Sequence, residues 1–120
     1  MHDQATHKLV LKEQGYGSFS ARAIAKILRT NDQIVSLDLS MNNLAEGFDD
    51  LLQGLRSADN LVSLRLRNNN IDGRKHHEQL FRLFKNHPTL TSIDLGNSEN
   101  IKNRNRLYNE GLEAVIEGIY

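Results

Sequence analysis

The chain has 120 residues, 15 basic and 15 acidic side chains, and no net charge with histidine neutral. That balance points to one domain and away from generic binding of nucleic acid, which needs a surplus of Lys and Arg. There is no cysteine, which excludes a disulfide framework, a thiolate metal site and a thiol nucleophile. No apolar run is long enough to span a bilayer, the Met1-His2-Asp3-Gln4 start lacks a signal-peptide core, and no Asn-x-Ser/Thr sequon occurs. A cytoplasmic protein without membrane contact is therefore expected.

Taken in chain order, one pattern recurs. A weak copy opens the chain as Thr6-x-x-Leu9-x-Leu11-x-x-Gln14-x-Tyr16. Ser18 and Ser20 are N-cap candidates for a helix over Ala21–Leu28. A full copy follows as Ile34-x-x-Leu37-x-Leu39-x-x-Asn42-x-Leu44, and again 27 residues later as Leu61-x-x-Leu64-x-Leu66-x-x-Asn69-x-Ile71. A fourth, Leu90-x-x-Ile93-x-Leu95-x-x-Ser98, begins 29 residues further on. Alternate leucines in each copy line one face of a short strand. Between copies, Ile24/Leu28, Leu51/Leu55 and Leu80/Phe84 form i, i+4 pairs on one helical face, and Leu112/Ile116 repeats the spacing. Asp59-Asn60 and Asn86-His87-Pro88 close the second and third helices, because proline cannot continue a helix. The polar stretch from Asn97 to Asn105 is expected to loop out before a last helix from about Leu107.

Neither a strand nor a helix of this kind buries its apolar side alone, so neighbouring units must stack into one core. An inward Asn at positions 42 and 69 is expected to bond backbone groups of its own turn and of the next, since a buried unpaired amide costs about 1–3 kcal/mol. The motif and its spacing resemble the ribonuclease-inhibitor type of leucine-rich repeat, over about residues 6–120. The resemblance implies an α/β leucine-rich-repeat solenoid, a short right-handed horseshoe segment. Parallel strands would form its concave face and helices its convex face. The expected organisation is a single domain over 1–120 of about four repeats, with units starting near 6, 34, 61 and 90. It also implies a surface for binding protein, and by family analogy a regulator of a small GTPase or of actin.

The outward strand positions read Val10, Asp38, Arg65, Asp94 in one row and Lys12, Ser40, Arg67, Gly96 in the next, followed by Glu13, Met41, Asn68, Asn97. In-register neighbours lie about 4.8 Å apart, so Asp38, Arg65 and Asp94 are expected to alternate in charge. Arg is enriched at binding hot spots, and Arg67 has no acidic neighbour in its own row. The expected partner-binding set is Lys12, Ser40, Met41, Arg65, Arg67, Asn68 and Asn97. Residues 61–106 carry 9 basic and 4 acidic side chains. With few aromatics interleaved they read as solvated helix and loop surface.

His76 and His77 are sequence neighbours about 100° apart on a helix, and the chain has no His pair at metal-binding spacing near them. Surface histidines and no metal are expected. No Gly-rich phosphate loop and no nucleophile–base set occurs, so neither catalysis nor a cofactor is expected. The ends offer an alternative to the strand face. Leu9 and Leu11 on the first strand, and Leu112, Val115, Ile116 and Ile119 on the last helix, have little beyond them. Exposed apolar patches mark interfaces, so an assembly subunit, a homo-oligomer or a fragment associating through its ends is the second reading.

Overall fold

The computed structural model describes residues 8–11, 21–31, 33–87, 89–99 and 104–119. Among the described residues four short strands alternate with four α-helices: β1 (Lys8–Val10), α1 (Ala21–Thr30), β2 (Ser36–Asp38), α2 (Phe48–Arg56, entered through a 3-10 turn at Ala45–Gly47), β3 (Ser63–Arg65), α3 (Gly73–Lys85), β4 (Ser92–Asp94) and α4 (Tyr108–Ile119). The sheet order is β1-β2-β3-β4 and every pair is parallel. The register aligns Leu9, Leu37, Leu64 and Ile93, so the leucines that recur in the sequence occupy one row of the sheet. The N-cap serines expected at positions 18 and 20, and Pro88, lie outside the described residues.

The helices form where apolar residues recur at helical spacing. On α1, Ala21, Ile24, Ala25 and Leu28 are buried, and on α2, Leu51, Leu52 and Leu55. Thr30 donates its hydroxyl toward the Lys26 and Ile27 carbonyls and closes the end of α1. Asp72 caps α3, its carboxylate accepting from the Arg74 N–H at 2.8 Å. The helix breaks at His76, with φ −112° and ψ 15°. There the imidazole Nδ1 accepts from the Asp72 N–H at 3.0 Å, and the ring meets Phe48 edge-on with centroids 6.0 Å apart.

The inward side chains merge into one core. Leu37, Leu39, Leu64 and Leu66 from the strand segments meet Leu28, Leu51, Leu55 and Leu80 from the helices, all buried. Each such side chain contributes about 1.5–3 kcal/mol by leaving water. Helices approach closely where a side chain is missing. A Cβ on Gly54 would lie 2.4 Å from the Ala25 Cα, so α1 and α2 touch backbone to backbone there. A Cβ on Gly73 would lie 1.7 Å from the Leu107 carbonyl oxygen, and one on Gly111 would lie 2.8 Å from the Gly73 Cα. One pairing departs from the sequence pattern: Phe84 is only half-buried, its neighbour Leu83 being the buried one, while Leu112 and Ile116 are exposed, as the reading of the last helix expects.

Asparagines hold the turns after the strands. Asn69 Oδ1 accepts from the Asn42 and Leu44 N–H groups at 3.2 and 3.0 Å, while its Nδ2 donates to the Leu39 carbonyl at 2.9 Å. Asn42 Nδ2 donates to Leu11 O at 2.7 Å. The third member is Asn105, although Ser98 holds the corresponding place in the fourth copy of the motif. Its Oδ1 accepts from the Asn69 and Ile71 N–H groups, and its Nδ2 donates to Leu66 O at 2.7 Å and Leu95 O at 3.1 Å. The physical reason is the hydrogen-bonding requirement. The amide of Asn supplies a donor and an acceptor at once, whereas serine is too short to reach the previous turn. Residues 98–104 are therefore an insertion between the strand and its ladder residue.

Candidate functional site

On the strand face pointing away from the helices, the register sets Lys8, Ser36, Ser63 and Ser92 in one row and Val10, Asp38, Arg65 and Asp94 in the next. The expected alternation of Asp38, Arg65 and Asp94 is present as register, but the ion pair is not along that row. Asp94 binds Arg67, with Nη1 3.1 and 3.0 Å from its two oxygens. Arg67 Nη2 also donates to the Asn97 carbonyl. Asp94 Oδ1 accepts in addition from the Gly96 N–H at 3.0 Å. Burial pushes the Asp94 carboxyl up, but the Gly96 N–H and the Arg67 guanidinium, helped by the charge of Arg65, outweigh it and hold the group below its ordinary range.

The expected binding set therefore separates. Arg65 is exposed and makes no ion pair within 4.0 Å among the described residues. Arg67, expected to be free, is half-buried and held by Asp94 and Asn97. The row argument missed this because a long side chain reaches diagonally across a sheet as well as straight across. Ser40 is buried, its N–H donating to Asp38 Oδ1 and its hydroxyl accepting from the Arg67 N–H at 3.2 Å. Asn68 is fully buried, and its Oδ1 accepts from the Ser98 N–H at 2.7 Å. Met41 is half-buried at φ 62°. Lys12 lies outside the described residues.

Asn97 is a clamp. Its Oδ1 accepts from the Asn105 N–H at 2.7 Å and its Nδ2 donates to the Asn105 carbonyl at 3.0 Å, closing the neck of the insertion. In the two preceding units the equivalent N–H, of Asn42 or Asn69, is met by the ladder asparagine of the following unit. Asn97 takes that part for the Asn105 N–H. Sequence reasoning missed Asn105, although Asn105-x-Leu107 repeats Asn42-x-Leu44 and was a readable signal.

Against the expectation of surface histidines, His76 and His87 are buried while His77 is exposed. His76 is the α3 contact described above, and His87 sits against Thr89, Nδ1 to Oγ1 at 3.2 Å, with Thr89 donating to Leu61 O. Between α3 and α4 lies an open groove of about 570 Å³ lined by His77, Glu78, Glu110, Glu113 and Glu117 among others. Among the described residues no group of three or more His, Asp or Glu side chains is arranged to hold a metal ion. Among them, too, no helix is long and apolar enough to cross a membrane. No protein family, curated protein or solved structure matches the chain. What stands is an α/β protein with a four-stranded, all-parallel sheet alternating with helices.

Proposed function

We propose that the chain is a leucine-rich-repeat solenoid of the ribonuclease-inhibitor type. It acts as a cytoplasmic, non-enzymatic module that binds a protein partner on the concave face of its strands. Supporting the repeat reading are the in-register leucines and the asparagine ladder, which recur from unit to unit. One observation carries the binding reading. Arg65 stands exposed on the strand face with no ion pair within 4.0 Å among the described residues, whereas Arg67 and Asp94 beside it are tied to each other. Its guanidinium presents a planar fork of donors that matches a carboxylate or carbonyl on a partner, at the cost of the side-chain freedom it gives up when engaged.

The test is affinity capture from native lysate with Arg65→Glu, using Gln53→Glu on the exposed side of α2 as the control. The reading expects one retained protein, lost with Arg65→Glu and kept with the control. Loss of a hot-spot arginine weakens binding by about tenfold or more. Equal capture by both variants contradicts it. Arg67→Glu is a poor probe, because it sets a second carboxylate against Asp94 and disturbs the fold as well as the face.

A further inference from the structure

We propose that the groove between α3 and α4 docks a basic segment of a partner protein. Lys or Arg side chains of that segment meet the carboxylates of Glu110, Glu113 and Glu117, and an apolar side chain between them packs on Phe81. No residue of the strand face lines the groove, so the inference does not rest on the reading above.

The groove follows from the seam between the two helices. On α4, Gly111, Ala114 and Gly118 recur at helical spacing and are buried. A Cβ on Gly118 would lie 2.9 Å from both the Phe81 carbonyl oxygen and the Phe84 Cβ, so α4 lies against α3 there as it does at Gly111 beside Gly73. Each of these small residues is preceded by a glutamate: Glu110, Glu113 and Glu117. Neighbours on a helix point about 100° apart. The seam that buries the small residues therefore sets the three carboxylates in one row along its side. All three are exposed and line the groove, facing His77, Glu78, Phe81 and Arg82 of α3. Its volume of about 570 Å³ is that of a ligand-sized cleft.

Charge chooses the occupant. Glu110, Glu113 and Glu117 make no ion pair within 4.0 Å among the described residues. Arg82, the one Lys or Arg among the lining residues, is engaged by Glu78 at 3.6 Å. The row is also unfavourable within the chain itself. Glu113 and Glu117 are a like-charge i, i+4 pair, which destabilises a helix. Glu117 stands in the last turn of α4, where the helix dipole is negative and a cation is favoured. The other three helices carry basic residues in that turn: Arg29, Arg56, and Arg82 with Lys85. Cations brought by a partner offset both effects, whereas an acidic partner deepens them. A bare metal ion fits poorly, because among the described residues no three acidic or imidazole side chains converge on one point. The half-buried Phe81 and the buried Ala114 add an apolar contact that an organic chain can use.

The probe is a short labelled peptide of lysines flanking leucines, titrated with the whole chain and read by fluorescence anisotropy. Wild type is expected to bind it, and more weakly as salt rises, because exposed pairs are screened. Glu113→Gln with Glu117→Gln is expected to weaken binding about tenfold and to leave stability in urea equal or higher. The charge-matched control, Glu46→Gln with Glu99→Gln, removes two exposed carboxylates outside the groove and should bind as wild type does. Arg65→Glu on the strand face should also keep the peptide. A lysine–glycine peptide of the same charge should bind more weakly than the leucine one. Circular dichroism checks the folds. Should the groove variant unfold, a photo-reactive leucine in the peptide locates the contact on wild type, expected at Phe81 and its neighbours on α3 and α4. No binding by wild type, equal binding by the groove variant, equal loss in the charge-matched control or in Arg65→Glu, equal binding of the lysine–glycine peptide, or crosslinks outside α3 and α4 would each overturn the proposal.

Discussion

At the scale of single residues, the asparagine ladder does most to fix the turns. Asn69 accepts two backbone N–H groups and donates to the Leu39 and Arg67 carbonyls, all in or beside the core. Asn69→Ala strands these groups without water, and each buried orphan costs about 1–3 kcal/mol. We expect Asn69→Ala to lower stability in urea by about 3 kcal/mol or more. Asn69→Asp keeps the acceptor, loses the donor, and should fall between it and wild type. Equal stability of wild type and Asn69→Ala would contradict this role. The Asn68-Asn69-Asn70 run also explains itself at this scale. Asn68 and Asn70 have φ of 52° and 62°, a region asparagine tolerates better than most residues, and the middle residue is the ladder. Met41 holds the same left-handed position as Asn68 one unit earlier, without that tolerance.

Asp94 gives the pH dependence. Its folded carboxyl titrates below the ordinary range, so its contribution is complete above the unfolded value of about 3.9. That contribution is lost as pH falls through the lower folded value. Urea midpoints of wild type and Asp94→Asn should differ near neutrality and converge as the medium is acidified below about pH 4. A constant gap down to the lowest pH would remove Asp94 from the account.

At the scale of elements, the helix contacts depend on missing side chains. Gly54→Ala drives a methyl into the Ala25 backbone, and neither helix can yield without opening the core between them. We expect about 2 kcal/mol of destabilisation. Gly96→Ala is the control, since the position is exposed and its nearest neighbours, Arg67 Nη1 at 3.1 Å and Asp94 Oδ1 at 3.2 Å, are side-chain atoms and not backbone. It should cost a few tenths of a kcal/mol at most, as surface changes do. Thermal unfolding of the pair checks this, and equal loss in both would contradict it.

The elements themselves were legible in the sequence because two periods carry them: alternate leucines for β2, β3 and β4, and i, i+4 pairs for α1, α2 and α3. The insertion at 98–104 was less legible. It moves the ladder residue from position 98 to 105 without altering the apolar spacing before it. The break at His76 was not legible at all; it coincides with a bond between that imidazole and the Asp72 N–H. That contact depends on tertiary placement against Phe48.

At the scale of the whole molecule, the strand face and the two ends are separate surfaces. Residue patterning assigned residues to both but could not tell which of those on the strand face are exposed. Ser40 and Asn68 face the right way in the repeat, yet packing and backbone bonds bury them. Arg65 and Arg67 are equivalent by alternation, and only the diagonal reach to Asp94 separates the free cation from the tied one. The exposure of Leu112 and Ile116 was legible, because the pattern places no later copy after the last helix pair.

The measurement that tests the central claim most directly is site-specific photo-crosslinking in native lysate. The photo-reactive amino acid is placed in turn at the Arg65 position on the strand face and at the Gln53 position on the helix face. The account predicts that one distinct protein is captured from position 65 and not from position 53. A partner captured from position 53 alone would contradict it and move binding to the helices.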